Sequence, residues 1–341
     1  MFTKGAKSLK DLAIMLMSLG IILLAAEGFT NGIEWLGKKL SLGPGAVGSV
    51  LAAVGTALPE TMVPVIAFLG NGSGEESMDI GIGAILGAPF MLATLAFFVS
   101  GLSVLIFRRS NRPLLLNPQI IERDLRFFIV VYSTAILTSF LPVKELKSVV
   151  VAILIATYCF YVFKTLKSNH GFEEHEHLSS LYLARGAEHP SLAVVVLQLL
   201  LSLFCIVVGA HGFVDSVQSL AFSTGIPVFV LSLIVTPIAT ELPEKFNSIL
   251  WLKREKDTLA LGNITGAMVF QSSIIPALGI AFTSWRLTPL ALLSGILALG
   301  SSALPYLMLR RRQVILPSSL MLGGGFYLMF ILTLLRFPGL H

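Results

Sequence analysis

The sequence predicts an all-α membrane protein of ten transmembrane helices, built as two inverted five-helix repeats with broken helices at a polar centre. Three observations carry that prediction. Apolar residues make up 55% of the 341 and charged residues only 13%, against about a quarter charged in a soluble domain. Ten apolar runs are close to or longer than the roughly 20 residues that span a bilayer. A Thr-x-Leu-Pro-Glu core occurs twice inside such runs, as GTALPE at 55–60 and ATELPE at 239–244.

The runs fall near 11–36, 43–70, 78–107, 124–141, 146–166, 191–215, 225–252, 258–284, 287–308 and 314–335. The first is too long for a cleaved signal, and no small-residue cleavage site follows it. Little chain is left between the runs for a separate soluble domain. The +5 net charge reads as membrane orientation rather than nucleic-acid affinity. Sixteen Lys and Arg fall beside the loops after the odd-numbered spans: Lys38, Lys39, Arg108, Arg109, Arg112, Arg123, Arg126, Lys164, Lys167, Arg185, Lys253, Arg254, Lys256 and Arg310 to Arg312. Seven fall on the other side. The richer side is predicted cytoplasmic, with both termini extracytoplasmic in an inner (plasma) membrane. Cys159 and Cys205 lie in spans and read as small packing residues.

A shift of 184 residues lays AAEGFTNGIEWL (25–36) on GAHGFVDSVQSL (209–220) and VGTALPE (54–60) on IATELPE (238–244). A shift of 179 then lays Gly83 and Gly87 on Gly262 and Gly266. The predicted units are 1–166 and 191–341. Five spans per unit make the second enter from the opposite face, the pattern of secondary transporters with a site at the midplane. The segment between them, 167–190, is polar and predicted cytoplasmic. Its His170, His175, His177 and His189, with Glu173, Glu174 and Glu176, read either as a regulatory metal site or as a solvated linker, and their spacing matches no strong zinc motif.

Pro59 and Pro243 each remove a helical N–H and free a carbonyl about one turn earlier, on Gly55 and Ala239. Thr56 and Thr240 stand beside those carbonyls, and Glu60 and Glu244 follow. Unpaired backbone at membrane depth is tolerated only when buried in protein or lining a wet cavity. A paired set of carbonyl, hydroxyl and carboxylate oxygens suits a hard cation such as Ca²⁺. The competing reading is a pair of kinks whose glutamates merely pair locally. It explains neither the repetition nor the adjoining threonines. Gly81, Gly83, Gly87, Gly262 and Gly266 allow close helix approach and can bring Asn263 and Gln271 near the carboxylates.

The paired Pro-Glu motifs, each followed by a glycine-spaced span, resemble those of the cation/Ca²⁺ exchanger superfamily, which includes Na⁺/Ca²⁺ exchangers. The resemblance extends over nearly the whole chain. It implies that Glu60 and Glu244 are the Ca²⁺ carboxylates and that Thr56 and Thr240 supply oxygen ligands. The chain departs from the family pattern at Ala84, Ala88, Ala267 and Leu92, and at Ala57 and Glu241 after the motif threonines. Side-chain oxygens for flanking Na⁺ ions are therefore missing. Glu241 either pairs with Lys245, one turn on, or carries a proton. Glu27 and His211, equivalent under the repeat, are candidates for proton coupling or for a static pair.

The predicted function is a secondary antiporter exporting a divalent cation, most simply Ca²⁺, in exchange for Na⁺ or H⁺ by alternating access. Rival readings are a proton-coupled Mg²⁺ or Mn²⁺ exchanger and a passive cation channel. An enzyme is not expected, since no in-membrane Ser/His, His-Glu-x-x-His or paired Asp motif is present. No cofactor is expected, and the partners are the lipid bilayer and the transported cations.

Overall fold

The computed structural model describes residues 2–40, 57–69, 74–167, 179–187 and 189–337, apart from the side chains of 2–8, 166–167, 239 and 242–247. Regular structure among these residues is entirely helical. The chain runs through α1 (Phe2–Lys39), α2 (Leu58–Leu69), α3 (Glu75–Met91), α4 (Phe97–Arg108), α5 (Pro118–Leu137), α6 (Lys144–Lys167), α7 (Leu192–Thr224), α8 (Val228–Lys253), α9 (Asp257–Phe282), α10 (Pro289–Arg312) and α11 (Pro317–Arg336). A single π turn, Leu92–Ala96, joins α3 to α4 without interrupting the helical path.

Local chemistry sets the ends. Proline stands in the first turn of α5, α10 and α11, where its missing N–H has no intrahelical partner to lose. Asn117, Ser191 and Thr288 cap α5, α7 and α10 with their side-chain oxygens. Gly225 ends α7 at φ +73°, a conformation open to glycine at little cost.

Among the described residues seven helices are long and apolar enough to cross a membrane. The ten-span expectation exceeds this at three places. Residues 43–56 of the second span lie outside the described residues. The helix that carries the fourth, α5, opens with Glu122, Arg123, Asp124 and Arg126 in its first turns. The apolar part of the seventh stops at Ile238, just before Glu241, Glu244 and Lys245. A second expectation is corrected: α8 runs as one helix from Val228 to Lys253, so Pro237 and Pro243 do not break it. The first motif differs. Pro59 sits in the opening turn of α2, so there it marks a helix start.

The chain groups into two compact units, 1–77 with 159–226 and 78–158 with 227–341, each drawing on both predicted repeats. In the first unit α1 and α7 cross closely. A Cβ on Gly28 would lie 2.9 Å from Ser202 Oγ, on Gly32 2.9 Å from Leu199 Cδ2, and on Gly209 2.8 Å from Ile22. Contact partners thus descend on α7 as they ascend on α1, so the two helices run antiparallel. The segment 179–184 lies against them. Asn31 Nδ2 donates to Ser179 Oγ (3.1 Å), Trp35 Nε1 to Ser179 O (3.0 Å), and Gln198 Nε2 to Gly28 O (2.8 Å). Leu181 is buried among Ile33, Trp35, Val195 and Leu199.

In the second unit α3 lies along α8 in parallel. A Cβ on Gly83 would stand 2.7 Å from Phe229 O and one on Gly87 2.7 Å from Pro237 Cγ, so contact partners ascend together on the two helices, and Ser232 Oγ donates to Ile80 O at 2.7 Å. α9 packs on both α5 and α8. Arg108, at the end of α4, bonds the buried Asp257 and the carbonyl of Leu252, closing the turn between α8 and α9.

Candidate functional site

The first motif lies in the first unit. Thr61 N and Oγ1 both donate to Ala57 O (3.1 and 2.7 Å), which winds the opening turn of α2. Glu60 falls in that turn, where the helix dipole favours a negative charge, and it is only 6% exposed. Leu58 and Met62 on the same helix pack on Ala25, Ala26 and Ile206 of α1 and α7. A buried carboxylate thus stands on a short helix whose neighbours are the crossing pair. Gly55 and Thr56 lie outside the described residues.

The second motif lies in the second unit, on α8. Thr240 is buried, and its Oγ1 donates to Thr236 O at 3.0 Å, which leaves its lone pairs available. Glu241 is buried and accepts a hydrogen bond from Gln271 Nε2 on α9. Gln271 Oε1 is itself buried without a partner among the described residues. Two turns away, Asn263 Nδ2 of α9 donates to Ser248 Oγ of α8 at 3.2 Å. These two rungs, 241 to 271 and 248 to 263, show α8 and α9 to be antiparallel. Position 244 lies between them in the helical register, and Gly266 and Ala267 lie between them on α9. Among the described residues, a Cβ placed on Gly262 or Gly266 would meet no atom within 4 Å, so no described side chain fills the space beside this stretch of α9. The side chains of Ala239, Glu244 and Lys245 are outside the described residues, as is therefore the expected Glu241–Lys245 pair.

Glu27 and His211 have different partners. Tyr182 Oη donates to Glu27 Oε1 at 2.7 Å, and His211 Nδ1 lies 2.9 Å from the carbonyl of Val207. Both side chains are exposed. The bond to Glu27, with partial burial and nearby Glu34, raises the Tyr182 phenol above its ordinary range, and Arg185 opposes the rise. His170 to His177 and their glutamates lie outside the described residues. His189 is exposed. Cys159 and Cys205 are free thiols, Cys205 packing beside Ala25 and Ile206 and Cys159 standing exposed.

Sequence reasoning singled out neither Ser248 nor Tyr182. Ser248 lies one heptad after Glu241 on the face that meets α9, so helical spacing was a usable signal. Nothing local marks Tyr182 as a partner 155 residues from Glu27.

The sequence profile of the family described as "Sodium/calcium exchanger protein" matches residues 10–167 and 194–337. The inner membrane protein YrbG of Escherichia coli is 25% identical over 285 residues, 82% of each chain. A putative antiporter, CaxA, of Alkalimonas amylolytica is 24% identical over 267 residues, 78% of each chain. The crystal structure of an H⁺/Ca²⁺ exchanger, CAX, superposes with a TM-score of 0.72 at 16% identity, covering 98% of this chain and 87% of that one. A structure of the sodium-calcium exchanger NCX_Mj gives 0.58 at 19% identity, covering 96% and 99%.

Proposed function

The chain belongs to the sodium/calcium exchanger protein family, a family of membrane cation exchangers, and we propose that it exports Ca²⁺ from the cytoplasm in exchange for Na⁺ or H⁺. Glu60 and Glu244 supply the two carboxylates that match one divalent ion in charge. Thr240, Asn263 and Gln271 add oxygens on the α8–α9 side, and Thr56 and the carbonyls of Gly55 and Ala239 complete the set. The observation that carries this reading is the α8–α9 pair. Buried polar groups inside apolar helices cost free energy unless they serve a pathway or a partner, and here they form consecutive rungs that bracket Glu244. Space beside Gly262 and Gly266 supports the same view.

Coupling follows from charge competition. Two carboxylates balance one divalent ion or a smaller positive charge from the counter-ion, but not both loads at once. The antiparallel α1 and α7 fit an inverted ten-span arrangement in which this pair slides to expose the site alternately to each side. Both termini are then extracytoplasmic and 167–190 is cytoplasmic. Glu241, bonded to Gln271, stands where the chain lacks the family's small hydroxyl residue. It is the residue to examine for the coupling ion, ahead of the outlying Glu27 and His211.

The reading is tested by Ca²⁺ uptake into vesicles carrying Glu60→Gln or Glu244→Gln. Each substitution keeps the shape and removes one charge, and each is expected to abolish transport while the protein folds normally in detergent. Transport at the wild-type level in either variant would remove these residues from the site.

A further inference from the structure

We propose that Asp124 is a positioning residue for the α9 side of the site, acting through Thr265 to set the rotation of α9 about its own axis. Asp124 lies in the second turn of α5 and is 2% exposed. Its Oδ2 accepts from Thr265 Oγ1 at 3.0 Å. Its Oδ1 accepts from Arg123 Nε and Nη2 at 3.1 and 3.0 Å, so the buried charge is balanced on its own helix. Thr265 is buried as well. It stands two residues after Asn263 and one before Gly266, on the stretch that bears the polar rung.

Two further bonds tie the same side of α9 to the same stretch of chain. Leu115 N donates to Asp257 Oδ2 at 2.7 Å, and Asn117 N to Thr258 Oγ1 at 2.8 Å. Both grip only the first turn of α9. A helix held at its end can still roll about its axis, so these two leave the middle of α9 undetermined. Thr265 lies about 12 Å further along, and its hydrogen bond is directional, which apolar packing is not. One face of α9, carrying Asp257, Leu261, Ile264, Thr265 and Met268, is buried, while Leu259, Gly262, Asn263, Gly266 and Ala267 are half-exposed. The bond from Thr265 to Asp124 fixes which residues belong to which face. An aliphatic residue at 124 would avoid the cost of burying a carboxylate but would specify no rotation. Misplacing a binding group by about 1 Å can cost up to about 100-fold.

This inference rests on the reading that α9 lines the ion site, and the experiment separates the two. Ca²⁺ flux into proteoliposomes is measured over a range of Ca²⁺ concentrations for Thr265→Val, Thr265→Ser, Asp124→Leu, Gln271→Leu and Asn263→Ala, normalised to folded transporter. Thr265→Val, which keeps the volume, is expected to raise the half-saturating Ca²⁺ concentration by about tenfold, the scale of one lost hydrogen bond to a charged group, with the maximal rate little changed. Thr265→Ser restores the wild-type value, and Thr265→Val combined with Asp124→Leu is no worse than either alone. If Thr265→Val lowers only the amount of folded protein, Asp124 is a structural anchor and the proposal is overturned, whatever Asp124→Leu does to folding. If Gln271→Leu and Asn263→Ala raise the half-saturating concentration while Thr265→Val does not, the positioning claim fails alone. If none of them moves it, α9 does not line the site and both readings fall.

Discussion

α3 and α9 carry the same glycine spacing, Gly83 and Gly87 on one and Gly262 and Gly266 on the other, and they lie in the same unit. On α3 the glycines bring backbones together: a Cβ on Gly83 would stand 2.7 Å from Phe229 O and 3.0 Å from Ser232 Cβ, and one on Gly87 would overlap the carbonyl of Leu233. The positions where the family carries polar groups, Ala84 and Ala88 on α3 and Leu92 in the π turn after it, are apolar and buried. On α9 the aligned glycines meet no close described neighbour, and the aligned positions 263 and 271 hold amides bonded to α8. One spacing thus serves dry packing in one helix and leaves room beside polar side chains in the other. Glycine spacing alone does not say which. The residues between the glycines do.

Four changes break or sharpen that contrast, from the largest expected effect to the smallest. Glu60→Gln and Glu244→Gln are expected to lower Ca²⁺ flux by about 100-fold or more, since stranding the partner charge of a buried pair costs about 3–5 kcal/mol. Equal losses would show that the asymmetry is confined to the neighbours of the carboxylates. Gln271→Leu gives α9 the residue that the first repeat has at the aligned position, Leu92. It removes the donor to Glu241 and is expected to raise the half-saturating ion concentration by about tenfold. In Leu92→Gln, by contrast, a buried amide lacks a partner, and the expected loss is about 1–3 kcal/mol of stability without a gain in affinity.

Glycine substitutions read the packing directly. Gly87→Ala drives a methyl into the Leu233 carbonyl and is expected to destabilise by about 1–3 kcal/mol, seen as a lower melting temperature in detergent. Gly266→Ala meets no close described neighbour and replaces a poor helix former, so it is expected to be neutral or stabilising by up to about 1 kcal/mol. Equal melting temperatures for the two variants would contradict the contrast. Smallest of all, Tyr182→Phe removes the bond to the exposed Glu27 and is expected to change flux by less than about twofold, because the proposed ion site does not include Glu27 and an exposed hydrogen bond adds little net stability. A larger loss would return Glu27 to the transport pathway.

Much of this architecture was legible in the sequence because its signals are local or periodic. Apolar run length marked α1, α7 and α9 to α11, and the 184-residue shift paired the two Pro-Glu motifs before any contact was known. The glycines of the eighth span also pointed to Gln271 near the second motif, where it bonds Glu241. Hydrogen bonds between distant residues were not legible. Asp124 to Thr265, Arg108 to Asp257 and Tyr182 to Glu27 join residues 141, 149 and 155 positions apart, and no motif announces them. Pro243 misled for a physical reason. Proline removes one N–H and crowds one carbonyl, but neighbouring helices can hold the turn, and α8 passes through it as a helix. Pro59 has the same motif around it and sits at a helix start, so identical residues were used in two backbone settings.

The most direct measurement is Ca²⁺ movement in proteoliposomes with equal Ca²⁺ on both sides and a Na⁺ or pH gradient imposed separately. The account predicts net Ca²⁺ accumulation against its rising gradient, driven by one of the two and absent in Glu244→Gln. Ca²⁺ that moves only down its own gradient, indifferent to both imposed gradients, would mean a passive cation pathway and would contradict coupled exchange.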